Sequence, residues 1–125
     1  MSKHEMISNR AAHDVLAERR RQKEVEGFTD GHDDAHDGME LAAAAACYAL
    51  NAAGSLQNDL SFGEAAAYKH FIDGFWPWLR EEWNPKDPRR DLVRAGALIL
   101  AEIERFDRAE ARLANAEAEG GAHVE

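Results

Sequence analysis

Ten consecutive apolar residues, from Leu41 to Leu50, restrict the fold of this 125-residue chain more than any other stretch. A run without a polar position has no solvent-facing side, so it predicts a helix that is buried on every face. It is too short to span a membrane, which takes about 20 apolar residues. Six of the ten residues are alanines, which favour helix and let neighbouring helices approach closely. We therefore expect a central buried helix in an all-α fold.

Helical periodicity and capping residues predict a single domain over residues 1–125 with three helices, at 9–26, 38–53 and 88–114. The second and third helices have the clearest start signals. Asp37 and Glu40 form a variant of the capping box, and Asp87 is an N-cap followed by a proline, Pro88, at the first helical position. The ends of the domain, residues 1–8 and 116–125, are expected to be loose termini.

The third predicted helix carries a continuous apolar stripe at helical spacing, made of Leu92, Gly96, Ile99, Ile103 and Phe106. We expect this stripe to face inward, with Gly96 letting the helix lie close to the alanine-rich second helix. An irregular, aromatic-rich connection joins the second helix to the third, and residues 64–72 within it are compatible with a short helix. The predicted fold is therefore a small three-helix domain.

The charge balance of the chain restricts its partners. With 24 acids against 15 bases, the formal net charge is −9, which argues against direct nucleic-acid binding and against an anionic membrane. It leaves open an acidic protein that binds basic surfaces. The single cysteine, Cys47, cannot form a disulfide within the chain, and residues 1–10 lack the apolar core of a signal peptide. Both features predict a cytoplasmic protein.

Glycines, carboxylates and histidines are concentrated in residues 24–40, between the first two predicted helices. A loop held by helices on both sides is a frequent place for function. The alternative is a polar turn with two helix caps. In the preceding helix Glu18 and Gln22 interrupt the apolar face. Their long side chains either pass the core to reach water, or Glu18 reaches the loop and fixes it.

One interpretation of these polar groups is a metal site. Imidazole and carboxylate groups are ligands for several divalent metals. Under this hypothesis the chain is a metal-dependent nucleotide (pyro)phosphohydrolase, and Mg²⁺ or Mn²⁺ is held by Glu18, Asp33, Asp34, His36 and Glu40. The spacing matches no diagnostic signature of such enzymes. The hypothesis that we favour instead, described next, involves no metal cofactor and no catalysis.

A second group of residues favours a site for a nucleotide or a related phosphorylated ligand. All three tryptophans lie between positions 76 and 83, and three arginines lie in the first turns of the third helix, where positive charge opposes the helix dipole. Rings stack on a base, and arginines or a helix N-terminus bind phosphate. The alternative is that the rings only pack a small core. The predicted ligand-binding residues are Arg19, Phe28, Thr29, His32, Asp33, Asp34, His36, Trp76, Trp78, Lys86, Arg89 and Arg90.

Two blocks of the chain resemble the ryanodine-receptor-type repeat domain. That family has an arginine, then Gly-Trp-Thr and paired aspartates, and later a lysine and an Asp-Arg pair that opens an apolar helix; Arg89 stands here at the place of that aspartate. The matching residues here are Arg20, Arg21, Gly27, Phe28, Thr29, Asp33, Asp34, Lys86 and Arg90. Phenylalanine replaces the tryptophan of the family. The resemblance implies a helical module that binds adenine nucleotides, with the base stacked on Phe28 and phosphate near Lys86 and Arg90.

The chain also resembles a group of small phage and prophage proteins over most of its length. The shared motifs are Glu-Arg-x-Arg-Gln, Glu-Gly-Phe-Thr, a His-Asp-Asp loop and Pro-Arg-Arg-Asp-Leu, found here at 18–22, 26–29, 32–34 and 88–92. This resemblance implies a protein of the bacterial host cytosol. The favoured hypothesis is therefore a phage-type module that sequesters or senses a nucleotide. The alternatives are the hydrolase and an acidic protein that inhibits a host factor, and a homodimer is left open.

Overall fold

The computed structural model describes residues 9–56 and 62–122 and confirms the all-α class. These residues form no β-strand. They form five α-helices: α1 (Arg10–Glu24), α2 (Asp30–Asp34), α3 (Glu40–Leu56), α4 (Phe62–Phe75) and α5 (Pro88–Ala122). A 3₁₀ turn at Arg80–Glu82 lies between α4 and α5. The connection predicted to be irregular thus contains a 14-residue helix. The terminus predicted to be loose over 1–8, and residues 123–125, lie outside the described residues.

The core lies between α3 and α5, and α1 packs on a second face of α5. The residues buried at its centre are Leu41, Ala44, Ala45, Tyr48, Ala95, Leu98 and Ala101. Four of these seven residues are alanines, whose small side chains let the two helix backbones approach closely. The apolar run of α3 therefore supplies the core, as predicted. One of its residues, Ala46, is exposed, so α3 is not covered on every side.

The face that α5 turns to the core differs from the predicted one. Leu92, Ile99, Ile103 and Phe106 are each 47–50% exposed, whereas the buried residues of α5 include Val93, Ala97, Leu98 and Ala101. Gly96 faces α1 instead of α3, since a Cβ added there would lie 3.2 Å from the methyl groups of Val15. The prediction was wrong because α5 has two apolar faces. The face with small side chains packs on α3, because it lets the two helices approach each other more closely than the face with large side chains would.

The start of α3 also differs from the prediction. The helix begins at Glu40, so Asp37 lies outside it. Met39, immediately before the helix, has a φ of 71°, in the left-handed region that non-glycine residues rarely adopt. Its carbonyl accepts the first helical hydrogen bond, from the Ala43 amide at 3.0 Å. The Glu40 carboxylate turns back and accepts from the Gly38 amide at 3.1 Å, so it does serve as a capping group.

Helix α5 begins where the sequence predicts and ends later. Asp87 Oδ1 accepts from the Arg90 amide at 3.0 Å, which confirms the N-cap, and Pro88 is the first helical residue. The helix continues to Ala122 instead of fraying after Ala114. Alternating alanine and charged residues in this last part have high helix propensity, which favours the extension. None of the described helices combines the length and the hydrophobicity needed to cross a membrane.

Candidate functional site

A cleft of about 630 Å³ lies where α1, the loop around α2, α3, the aromatic segment after α4, and α5 meet. Arg94 of α5 and Phe28 of the loop both line it, so the start of the last helix lies beside residues 24–40. The remaining lining residues are Glu18, Arg21, Gln22, Glu26, His32, His36, Tyr48, Trp76, Trp78, Glu81, Glu82, Asn84 and Leu98.

Aromatic rings form one wall of the cleft. Trp76 and Trp78 meet edge to face, with ring centroids 5.5 Å apart, and Pro77 between them keeps the chain extended. Trp78 makes a similar contact with Phe28 at 6.1 Å, and Trp76 with Tyr48 at 5.6 Å. Phe28 and both tryptophans are half-buried and pack against the core cluster. The same rings therefore serve the core and face the cleft.

Two histidines extend this wall from the short helix α2. The ring of His32 stacks on Phe28 at 4.4 Å and 9°, and the ring of His36 lies 4.5 Å from that of His32. Thr29 starts the helix, and its hydroxyl accepts from the His32 amide at 3.2 Å. His32 lies within α2 and His36 lies two residues after its end, so the turn that ends the helix brings both rings to the same side. His36 Nδ1 donates to the His32 carbonyl at 2.8 Å, which orients its ring.

The charged floor of the cleft is built around Glu18, whose side chain is fully buried. Arg21 binds this carboxylate through two hydrogen bonds of 2.7 and 2.9 Å, and Arg90 of α5 donates to the same group. Burial raises the pKa of Glu18, but the two arginines outweigh burial, so the pKa lies below its ordinary value. Arg21 also donates to Glu26 at 2.7 Å. The network joins α1 to the start of α5.

Two buried polar atoms at the cleft have no hydrogen-bond partner among the described residues: Gln22 Oε1 and Trp78 Nε1. Gln22 is only 4% exposed. Its Nε2 lies 3.3 Å from Glu18, an acceptor, which fixes the orientation of the amide and leaves Oε1 as the free acceptor. An unpaired buried polar group is unfavourable by about 1–3 kcal/mol. Both residues line the cleft, and these two atoms lie buried beneath its surface.

A second, smaller depression of about 350 Å³ shares Glu18 and Arg21 with the cleft. Arg89 and Arg90, from the first turn of α5, also line it. The side chains of Arg21, Arg89 and Arg90 are 35%, 48% and 39% exposed. Arg89 hydrogen-bonds Asp14 at 2.9 Å and thereby holds the pKa of that carboxyl below its ordinary value. Three guanidinium groups thus border the open end of the cleft floor.

The predicted ligand-binding residues divide between these two depressions and other places. Those that line the cleft are Phe28, His32, His36, Trp76 and Trp78. Arg89 and Arg90 line the second depression. Thr29 caps α2. Lys86 lines neither depression; its side chain is exposed, and its backbone amide donates to Asp91 at 2.7 Å.

Arg19, Asp33 and Asp34, which were predicted to contact the ligand, also lie outside the cleft. In the structure they support the elements that form it. Arg19 and Asp33 are buried and bonded to each other at 2.8 Å, and Arg19 also reaches Glu104 at 2.9 Å. Arg19, not Glu18, therefore ties α1 to the loop. Asp33 additionally lies 2.9 Å from His32 Nδ1, so it orients a ring of the cleft. Asp34 accepts from two arginines of α5, Arg108 and Arg112.

The five metal-ligand candidates are spread over separate interactions. Glu18, Asp33 and Asp34 are each bound by arginine, His36 donates to a carbonyl, and Glu40 accepts from an amide. Over residues 9–56 and 62–122, no three histidine, cysteine, aspartate or glutamate side chains are grouped closely enough to hold one metal ion. An ion at Glu18 or Asp33 would have to displace a guanidinium.

Several cleft residues were not predicted as ligands, and their signals in the sequence differ. Gln22 was visible as a polar residue on the apolar face of the first helix. Tyr48 lies in an apolar run and was assigned only to the core. Arg94 has a distinct role: its guanidinium lies 4.2 Å from the centroid of the Tyr48 ring and donates to the Tyr48 hydroxyl at 2.7 Å. That long-range pairing leaves no local pattern in the sequence.

Comparison of the chain with protein-family models, with curated proteins and with solved structures found no significant match.

Proposed function

We propose that this chain is a small phage-type module that binds a nucleotide, or a related phosphorylated ligand, without converting it. The unpaired pair of Gln22 Oε1 and Trp78 Nε1, buried at an aromatic cleft, is the observation that carries the proposal. Nucleobases present donors beside acceptors on their edges and stack on aromatic rings. A base in the cleft would replace water on the rings, and a shift of the surrounding side chains would let its edge pair with both buried atoms.

The charges around the cleft support one orientation of such a ligand. Glu81 and Glu82 lie on the rim beside the rings and would repel phosphate. Arg21, Arg89 and Arg90 border the second depression together with the carboxylates of Asp14, Glu18 and Asp87. A phosphate there would receive charge-assisted hydrogen bonds from the arginines in exchange for these carboxylate partners. The base would therefore occupy the aromatic cleft, and its phosphates would extend toward the three arginines.

The resemblance to the ryanodine-receptor-type repeat domain supports the same class of ligand, because it implies base stacking at Phe28 and phosphate near Arg90. Phe28 lines the cleft and Arg90 the second depression. The resemblance to phage proteins adds a role in sequestering or sensing a nucleotide signal of the host.

Calorimetric titration of the full chain with a panel of adenine, guanine, cytosine and uracil nucleotides tests the proposal. We expect heat of binding and a raised Tm for at least one nucleotide, and no phosphate release when Mg²⁺ or Mn²⁺ is added. Release of phosphate would replace the proposal by the hydrolase alternative. No binding across the whole panel would refute it.

A pair of tryptophan variants connects binding to the cleft. Trp78→Phe keeps an aromatic ring but removes the unpaired Nε1 donor, so we expect affinity to fall about tenfold, the equivalent of one hydrogen bond. Trp83→Phe is the matched control, because Trp83 also contacts Trp76 but does not line the cleft. Equal losses in both variants would place the ligand elsewhere.

A further inference from the structure

A row of large apolar side chains along α5 is about half exposed or more in the described part of the protein. This α5 stripe consists of Leu92, Ile99, Ile103, Phe106 and Leu113, which are 47%, 48%, 50%, 49% and 66% exposed. With Gly96 and Glu110 included, the steps between positions alternate between four and three residues, as along the seam of a coiled coil. The stripe extends about 32 Å along the helix. An exposed apolar surface of this kind marks an interaction face.

The last part of α5 needs such an interaction. All side chains of residues 110–120 are exposed, yet the helix continues to Ala122. A helical segment of this length without packing is marginal in water, because most helix stability in proteins comes from tertiary contacts. Leu113, the most exposed residue of the stripe, lies in this segment. A partner helix along the stripe would supply the missing contacts.

We propose that the partner is a second copy of this chain, with the two α5 helices antiparallel. The exposed charges in the first two turns of α5 are Arg89 and Arg90, whose side chains are 48% and 39% exposed, whereas Arg94 and Asp91 are turned inward. Between positions 107 and 122 there are four acids against two arginines: Asp107, Glu110, Glu117 and Glu119 against Arg108 and Arg112. An antiparallel pair places the basic start of each helix beside the acidic end of the other. A parallel pair would bring like charges together.

The heptad positions define the register of this pair. Ile99 of one copy lies opposite Ile103 of the second copy, and Phe106 lies opposite Gly96, at the edge of the stripe where Val15 of α1 also packs. Leu92 then lies beside Glu110 of the second copy, and Arg89, one turn earlier, is within reach of the same carboxylate. The α5 residues of the cleft, Arg94 and Leu98, lie on a different face of the helix. The dimer therefore leaves the aromatic cleft open and touches the second depression only at Arg89, and it does not depend on the proposed function.

Sedimentation of the full chain over a range of concentrations tests the dimer. We expect a reversible monomer–dimer equilibrium, and a monomer at every concentration for the double variant Ile99→Glu, Ile103→Glu with unchanged helical content. Phe71→Glu is the matched control, because Phe71 is a similarly exposed apolar residue on α4. A wild-type chain that stays monomeric, or a control that dissociates equally, would overturn the proposal.

Disulfide cross-linking tests the orientation. Cys47 is the single cysteine and is buried, so Cys47→Ala provides a background without thiols. Leu92→Cys and Glu110→Cys are each introduced into this background, which gives two separate proteins. In the antiparallel register, only a mixture of the two cross-links efficiently. If either protein alone forms the covalent dimer as readily as the mixture, the helices are parallel and the proposed arrangement is wrong.

Discussion

At the residue scale, neighbouring aspartates in α2 have the same chemistry but opposite surroundings. The Asp33 side chain is completely buried against Arg19, which is itself 5% exposed. The Asp34 side chain is 26% exposed, and its partners lie at the surface of α5. Removing one member of a buried ion pair leaves an uncompensated charge, whereas an exposed pair contributes little.

We therefore expect Asp33→Asn to lower the free energy of unfolding by about 3 kcal/mol. The matched variant Asp34→Asn should lower it by less than about 1 kcal/mol. Urea denaturation followed by circular dichroism measures both values. Equal losses in the two variants would show that the buried pair with Arg19 does not stabilise the loop.

Single residues also show what the sequence can reveal about the site. The apolar periodicity of the first helix identified Glu18 and Gln22 as polar groups that need partners, because a core does not accept unpaired polar atoms. It did not identify the partners. Arg90, which binds Glu18, lies 72 positions away in the chain, and only the tertiary fold brings it close. Glu18 was considered as the residue that reaches the loop, whereas Arg19, one position further along α1, makes the contact with the loop by binding Asp33.

At the scale of elements, the start of α3 contains the strained position of the fold. Met39 holds a φ of 71°, and the left-handed region is unfavourable by about 1–2 kcal/mol for a residue with a Cβ. Glycine adopts this conformation without strain but loses more conformational freedom on folding. We expect Met39→Gly to raise the free energy of unfolding by about 0.5–1 kcal/mol.

Chemical denaturation measures this effect, with Ala46→Gly as its control. Ala46 is exposed within α3 at a helical position, so glycine there should be destabilising by about 1 kcal/mol. Opposite signs for the two glycine substitutions are the expected result. A loss of stability at position 39 as well would mean that the contact of Met39 with Arg105 outweighs the backbone strain.

Elements were predictable where their signals are local. The N-cap at Asp87 and the proline after it depend on neighbouring residues, and the structure confirms them. The inward face of α5 depends on which helix approaches it. Both of its faces are apolar, and only the distances to α1 and α3 decide between them. The predicted end near residue 114 was wrong, because alanine and charged residues continue the helix to Ala122.

At the scale of the whole molecule, arginine–carboxylate pairs connect the helices around the cleft. Burial raises the pKa of Glu18 and Glu104, but their arginine partners outweigh burial and the pKa of both groups is lowered. Hydrogen bonds from Arg89 and Arg108 lower the pKa of Asp14 and Asp34. A carboxyl group with a lower pKa in the folded than in the unfolded chain stabilises the fold only while it is ionised.

The sign of the pH dependence follows from these lowered values. The stabilisation is complete above the pKa of the unfolded groups and is lost as the pH falls through the pKa of the folded groups, so we expect stability to decline below about pH 5. Glu18→Gln should be less stable at neutral pH by about 2 kcal/mol, because it removes charged hydrogen bonds, and its decline toward acid should be shallower. Thermal unfolding between neutral and acid pH measures both effects.

Glu117→Gln makes the same charge change at an exposed position of α5 and should keep the wild-type profile. An unchanged slope in Glu18→Gln would mean that the ion pairs between α1 and α5 do not determine acid stability.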